Sequence, residues 1–343
     1  MRKLFILMMG VGLLAVLAGC SGQPVGEASE KKSYNLKMSI SVGEATTWYK
    51  AADHFAKEVE EQTDGRIKIK VYANEQLSAG DQTKGVEMLL KGATDLSYHS
   101  PIIYSAFDKR FGVISAPFLF KDLNEVDEKL NGEGGEAISQ ILLENGVEPL
   151  GFGQNGFRQV TNSVRPIQSP EDIQNLKIRI PGINMYTDLW RGFGADPTAM
   201  TFSEVFAALQ QGTIDGQENP IDVIKNTKLE EVQKYITMWN YSYDPIMLGM
   251  NKEKFDRMHP DDQQIIREAA KNANEYQIKL ARELEKEQIE YLKEAGMEFH
   301  YPTEEEMNAF IQASDHIYEK YEKEWGTDLL QAFRDEPEGK ESR

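Results

Sequence analysis

The sequence predicts an α/β protein with room for two domains and a long bracing helix near its C-terminus. Three patterns carry this. Strand and helix periods alternate over residues 36–98, they alternate again over 147–220, and one helical period runs unbroken from Pro260 to about Ala295.

Leu36, Met38, Ile40 and Val42 alternate as a strand does, and Trp48, Ala51, Ala52, Phe55, Ala56 and Val59 recur at helical spacing behind Thr46 and Thr47, which supply the cap. Asp64-Gly65 stops that helix, and Ile67, Ile69 and Val71 alternate again. A helical stretch over 82–91 then leads into the strand Asp95-Leu-Ser-Tyr98. This βαβαβ order implies a parallel sheet with helices on both faces and ligands beyond the carboxyl ends of its strands. Thr46, Glu75, Gln76, Tyr98 and His99 fall at those ends. A further strand over 147–152 precedes a polar stretch. Lys177-Ile-Arg-Ile-Pro181 reads as a short strand with Ile178 and Ile180 on one face and Arg179 on the other, ended by Pro181. Ser203 caps a helix through Gln211 that packs Val205, Phe206 and Leu209, and Gly212 closes it ahead of Asp215-Gly-Gln-Glu-Asn-Pro220. In the long helix, Ile265, Ile266, Ala269, Ala270, Ala273, Tyr276, Leu280 and Leu284 form the apolar stripe, with Asp and Glu on a solvated face.

Ahead of this body stand Arg2 and Lys3, an apolar run over 4–18, and Leu17-Ala-Gly-Cys20. The run is shorter than the roughly 20 residues needed to cross a bilayer and meets a small-residue cleavage site. Residues 1–20 therefore read as an export signal ending in a lipobox, with Cys20 lipidated; the alternative is an ordinary secretory signal with an incidental cysteine. Cys20 is the only cysteine, which excludes an intramolecular disulfide. Residues 21–32 read as a flexible tether. With 56 acidic residues against 38 basic ones, the surface repels nucleic acid and anionic lipid, so no nucleic-acid partner is expected and the membrane is met through the anchor alone. A buried cation in a cleft can still outweigh that diffuse field and take an anion.

Gly151-Phe-Gly153-Gln-Asn-Gly156 fits the G-x-G-x-x-G of dinucleotide sites, but the β-branched run behind it leads to Pro166 and leaves no helix to face a pyrophosphate. These glycines are expected to permit a tight crossover between domains. The histidines His54, His99, His259, His300 and His316 lack metal-ligand spacing, and no nucleophile motif is present. Neither a metal, a cofactor nor an enzyme is expected. Arg158 and Arg179 stand among apolar, small or uncharged neighbours, and a guanidinium grips a carboxylate with two parallel bonds. The competing account is a surface or interdomain ion pair, as turn capping is for Asn219 and core packing for Phe202.

Taken in order, Gly156-Phe-Arg158, Thr161-Asn162, Lys177-Ile-Arg-Ile-Pro181, Gly194-Ala-Asp-Pro197, Thr201-Phe-Ser-Glu204 and Asp215-Gly-Gln-Glu-Asn-Pro220 resemble the signature run of the DctP family of TRAP-transporter solute-binding proteins. Gln76-Leu77 and Ala116-Pro-Phe-Leu-Phe120 extend the resemblance toward the N-terminus. It implies a two-lobed, periplasmic-binding-protein-like α/β fold with a ligand cleft between the lobes. Lobe I then takes residues 33–156 and 245–284, and lobe II residues 157–244 and 285–340. It also implies an extracytoplasmic binding protein that hands a small organic-acid anion, a C4-dicarboxylate or sugar acid, to the small and large TRAP membrane subunits. By resemblance Arg179 clamps the carboxylate, with Arg158, Asn219 and Phe202 beside it. Glu75, Tyr98, His99 and Thr46 join the site by the strand-end argument alone. The rivals are an ABC-type or sensor-associated binding lipoprotein and an extracytoplasmic enzyme acting on organic acids.

Overall fold

A computed structural model describes residues 31–334; the expected export signal, Cys20 and most of the expected tether lie outside the described residues. The strands are β1 (Tyr34–Ile40), β2 (Ile67–Tyr72), β3 (Leu96–His99), β4 (Val147–Asn162), β5 (Lys177–Ile180), β6 (Asp196–Ala199), β7 (Gly216–Asn219), β8 (Tyr235–Asn251) and β9 (Glu298–His300). Among the described residues they form one sheet in the order β2-β1-β3-β8-β4-β7-β5-β6, with β9 beside the start of β8.

The two flanks of this sheet are parallel, but β3, β8, β4 and β7 pair antiparallel, which corrects the expectation of a parallel sheet. The cause is the length of β4 and β8, 16 and 17 residues, or about 50 Å each at the usual rise. They run side by side through the whole sheet. β1 to β3 dock on the C-terminal half of β8, and β5 to β7 on the C-terminal half of β4, so two α/β lobes share two continuous strands.

The sequence predicts a strand over 147–152 ahead of a polar stretch, yet β4 runs on to Asn162, with its glycines at bulges in the strand. The register slips between Pro149 and Phe152, between Gln154 and Gly156, and between Arg158 and Val160. Gly151 (φ 101°) and Gly156 (φ 116°) hold left-handed conformations that a side chain would strain. Opposite them Pro245 of β8 pairs with Gln154. A proline is tolerated in this central strand because the ladder is already broken there.

The long helix, Pro260–Glu294, crosses the strands at these bulges. Its predicted apolar stripe holds through Ile266, Ala269, Ala270 and Ala273, all buried. After that Tyr276 is 40% exposed, and Asn274, Gln277 and Gln288 are buried instead. The bulges leave backbone groups without ladder partners, and the helix supplies them. Asn274 Nδ2 donates to Leu150 O at 2.9 Å, Gln277 Nε2 donates to Gln154 O at 2.7 Å, and Gln277 Oε1 accepts from Gln154 N at 2.6 Å. Tyr98 Oη donates to Asn274 Oδ1 at 2.7 Å. A Cβ at Gly153 would lie 2.1 Å from the Tyr98 hydroxyl, 2.8 Å from Gln277 Oε1 and 3.0 Å from the Ile246 side chain. Gly153→Ala is therefore expected to cost about 1–3 kcal/mol, the usual range for overpacking a filled site. Chemical denaturation checks this, and an unchanged midpoint would refute the close-approach account.

Apolar packing follows the lobes. One cluster gathers Met38, Ile40, Phe55 and Leu248, a second gathers Val205, Leu209, Ile224 and Leu292, and the largest, around Trp190, Trp239 and Phe310, packs along the crossing strands. The helix predicted to begin after Ser203 is Phe202–Gln210 with Thr201 as its N-cap. Among the described residues no helix is long and apolar enough to cross a membrane.

Candidate functional site

β1 and β3 end at Ile40 and His99, and the residues just past them, Ser41, Val42 and Ser100, form one wall of a cavity of about 40 Å³. Arg158, Arg179, Asn219 and Asp244, from β4, β5, β7 and β8, form the facing wall. Trp48, in the first turn of the helix Thr47–Gln62, and Phe202 close the cavity.

Arg179 is 2% exposed, and Ile178 and Ile180 beside it are buried as well, in the large apolar cluster. Its Nε and Nη2 donate to the Met200 carbonyl at 3.0 and 2.6 Å, and the Phe202 ring lies 5.7 Å from its Cζ. Among the described residues the ion pairs of this region go to Arg158 and none to Arg179. Burial pulls the Arg179 pKa down to about 10, with Arg158 pushing the same way and Glu218 opposing. A buried cation whose only protein acceptor is a carbonyl is costly until an anion joins it.

Arg158 is arranged the other way. Its Nη1 donates to Asp244 Oδ2 at 2.6 Å, and its Nη2 to Glu218 Oε1 at 2.9 Å, to the Glu218 carbonyl at 2.8 Å and to Asn219 Oδ1 at 3.2 Å. Its Nε donates to Glu218 Oε2, which also accepts from the Tyr241 hydroxyl. Burial alone would lower the Arg158 pKa, but the two carboxylates hold it well above the ordinary arginine range. For Arg158 the competing account, an ion pair, is the one the structure shows, with partners that arrive from β7 and β8, 60 and 86 positions along the chain. Asp244 also accepts from Ser100 Oγ and, at 2.8 Å, from Asn155 Nδ2, while Asn155 Oδ1 accepts from Trp48 Nε1 at 3.2 Å. Burial raises the Asp244 pKa against the pull of Arg158. Asn219 Nδ2 donates to Gln217 Oε1 at 2.6 Å.

The structure thus brings Arg179, Arg158, Asn219 and Phe202 together and leaves out the four residues placed by strand ends, none of which lines the cavity. Thr46 caps the helix Thr47–Gln62 and donates to Gly43 O at 2.8 Å. Tyr98 points to the opposite face of β3 and bonds the long helix. Glu75, in a left-handed conformation (φ 52°), turns inward to pair with His99 Nε2 and accepts from Ser39, Ser41 and Ser78 at 3.0, 3.1 and 2.8 Å. Burial alone would raise the Glu75 carboxyl, but His99 and the serine hydroxyls hold it below the usual range. Trp48, Asn155 and Asp244 are among the lining residues that sequence reasoning missed. Asp244 stands before Pro245, and that pair was the one available signal.

At the rim, Asp222 Oδ2 accepts from Thr47 N and Oγ1 at 3.2 and 3.1 Å, and its Oδ1 accepts from Gln288 Nε2 at 2.6 Å. Ser203 Oγ donates to Gly80 O at 3.2 Å. These contacts join elements on the two sides of the cavity. Among the described residues no group of three or more His, Cys, Asp or Glu gathers to hold a metal ion.

Residues 38–324 match the model of the bacterial extracellular solute-binding proteins, family 7, called DctP. The chain is 30% identical over 321 residues to the 2,3-diketo-L-gulonate-binding periplasmic protein of Escherichia coli K12, covering 91% of this chain and 95% of that one. A TRAP periplasmic solute-binding protein from Ralstonia eutropha H16, solved with bound (S)-2-acetolactate, superposes with a TM-score of 0.85 at 36% identity over 87% of this chain and 97% of that one. The sugar-acid-binding protein of Advenella mimigardefordensis, solved with galactonate, superposes with a TM-score of 0.85 at 29% identity over 89% and 99%.

Proposed function

The chain belongs to the DctP family, family 7 of the bacterial extracellular solute-binding proteins, and from that premise we propose that it captures a small carboxylate between its lobes and delivers it to the membrane subunits of a TRAP transporter. It is a binding protein and not an enzyme. The observation that carries the ligand class is Arg179, buried in the wall of the cleft and paired with no carboxylate among the described residues. In this reading Arg179 grips the carboxylate with two bonds, Asn219 bonds the same group, Phe202 covers the pair, and Arg158 fixes the wall behind them. C4-dicarboxylates and sugar acids both offer the group such a fork holds.

Capture includes closure. The lobes divide at the crossing strands, with residues 33–156 and 245–284 on one side and 157–244 and 285–340 on the other. Ligand bound to both walls favours the closed arrangement over the open one. The Asp222 and Ser203 contacts at the rim belong to the closed arrangement. A lipid on Cys20 and the tether over 21–32 hold the body outside the cytoplasm near the small and large integral membrane subunits.

Calorimetry and thermal melting of residues 21–343 with small organic acids test this. An acid at 100 times its Kd adds about 2.7 kcal/mol to stability. Silence from every class of acid would overturn capture, and binding without uptake into vesicles carrying the membrane subunits would overturn delivery. Phe202→Ala is expected to weaken binding about 5-fold, the equivalent of one partly desolvated cation–π contact. Its melting temperature should barely move, since Phe202 is only half-buried.

A further inference from the structure

The charges around Arg179 narrow the class of acid, on the reading that Arg179 takes the carboxylate. The cations lining the cavity are Arg158 and Arg179. Arg158 is committed to Glu218 and Asp244, so Arg179 alone keeps capacity for an incoming anion. Two guanidiniums stand against two carboxylates, which leaves the empty site neutral. One acid group makes it singly negative. A second acid group would add a further charge at short range in a buried place, where like charges are poorly screened.

Nothing in the lining answers that second charge. Beyond the arginines the polar lining is Ser41, Gln82, Ser100, Asn155, Asn219 and the Asp244 carboxylate, with no lysine or histidine. The remainder is apolar: Val42, Ile102, Ile103, Pro181 and Val223, beside the rings of Trp48 and Phe202. The apolar part packs alkyl carbon well, and most of the polar part is engaged within the protein, Ser41 with Glu75, Ser100 and Asn155 with Asp244, and Asn219 with Arg158 and Gln217, which leaves few partners for a row of hydroxyls stripped of water.

We infer that the ligand is a short monocarboxylate carrying one or two hydroxyl or oxo groups and an alkyl end, and that Asp244 is a specificity residue that repels a second carboxylate. Asp244 acts from within a fixed network, held by Arg158, Ser100 and Asn155, so it cannot swing away to admit the wrong acid.

Calorimetry on matched acids that differ only by a terminal methyl or carboxylate tests this: 2-hydroxybutanoate against malate, and 2-oxopentanoate against 2-oxoglutarate, with galactonate as the polyol acid. The methyl member of each pair is expected to bind at least 10-fold tighter than its dicarboxylate partner, and galactonate at least 10-fold weaker than the better monocarboxylate. Asp244→Asn keeps hydrogen-bonding capacity toward Arg158 and Ser100, and should shrink the penalty on malate at least 3-fold. Tighter binding of a dicarboxylate or of galactonate by the wild-type chain would overturn the class while leaving capture by Arg179 intact. An unchanged malate penalty in Asp244→Asn would remove the role of Asp244. If no acid in the panel binds, the capture reading itself falls. Should the variant not fold, the wild-type pairs still decide the class.

Discussion

Arg179→Lys will lower affinity for the captured acid at least 100-fold and leave the fold intact. The substitution keeps a positive charge but removes the planar fork, and truncating one side of a desolvated, hydrogen-bonded charge pair costs about 2–5 kcal/mol; a factor of 100 corresponds to about 2.7 kcal/mol. The companion variant separates binding from stability. Arg179→Met removes a buried cation that has no carboxylate partner among the described residues. Its ligand-free melting temperature should therefore equal or exceed that of the wild-type chain, while binding disappears. Calorimetry and ligand-free melting, run side by side, check the pair. A ligand-free Arg179→Met that melts several degrees lower would make Arg179 a structural prop instead of a ligand clamp.

Arg158→Met should do the reverse and unfold the site. It leaves Glu218 and Asp244 buried and unpaired, where losing one partner of a buried ion network costs about 3–5 kcal/mol. For a chain of this size that is a fall of roughly 6–10 °C in melting temperature. The pH dependence has a definite sign. Without Arg158 the folded-state pKa of Asp244, already raised by burial, rises further above its unfolded value. The folded variant then binds its proton more tightly than the unfolded chain does, so its deficit shrinks as pH falls through that raised pKa and grows as pH rises. Melting the variant and the wild type from pH 5 to pH 8 measures this. A deficit that is constant with pH would mean that the two carboxylates find other partners.

Arg158 and Arg179 looked alike in sequence because both have few counter-charged neighbours along the chain. The difference lies in strand pairing, which sets Glu218 and Asp244 against one and only a carbonyl against the other. In a chain with 56 acidic residues, no local pattern distinguishes those two carboxylates. The strand-end argument found the right end of the sheet and missed the side chains by one or two positions. Ile40, Tyr98 and His99 close their strands, but Ser41, Val42 and Ser100 beyond them reach the cavity. Strand ends locate Cα atoms, whereas the two-residue alternation decides which side chain faces the ligand. The fold was legible where a single period ruled, as in the long helix and the first βαβαβ unit. It was not legible in β4 and β8, where Gly151 and Gly156 read as a crossover between domains although they sit at bulges in a continuous strand.

The polar contacts of the long helix also bear on how this protein can be engineered. A designer filling the buried face of that helix with leucine would count Asn274 and Gln277 as defects, since both lie under the surface in the register of the apolar stripe. They are instead the surrogate edge of a neighbouring strand, written in side chains. Replacing them would strand Leu150 O and both backbone groups of Gln154, so the hydrophobic rules that stabilise most helices would here loosen the place where the two halves share their strands.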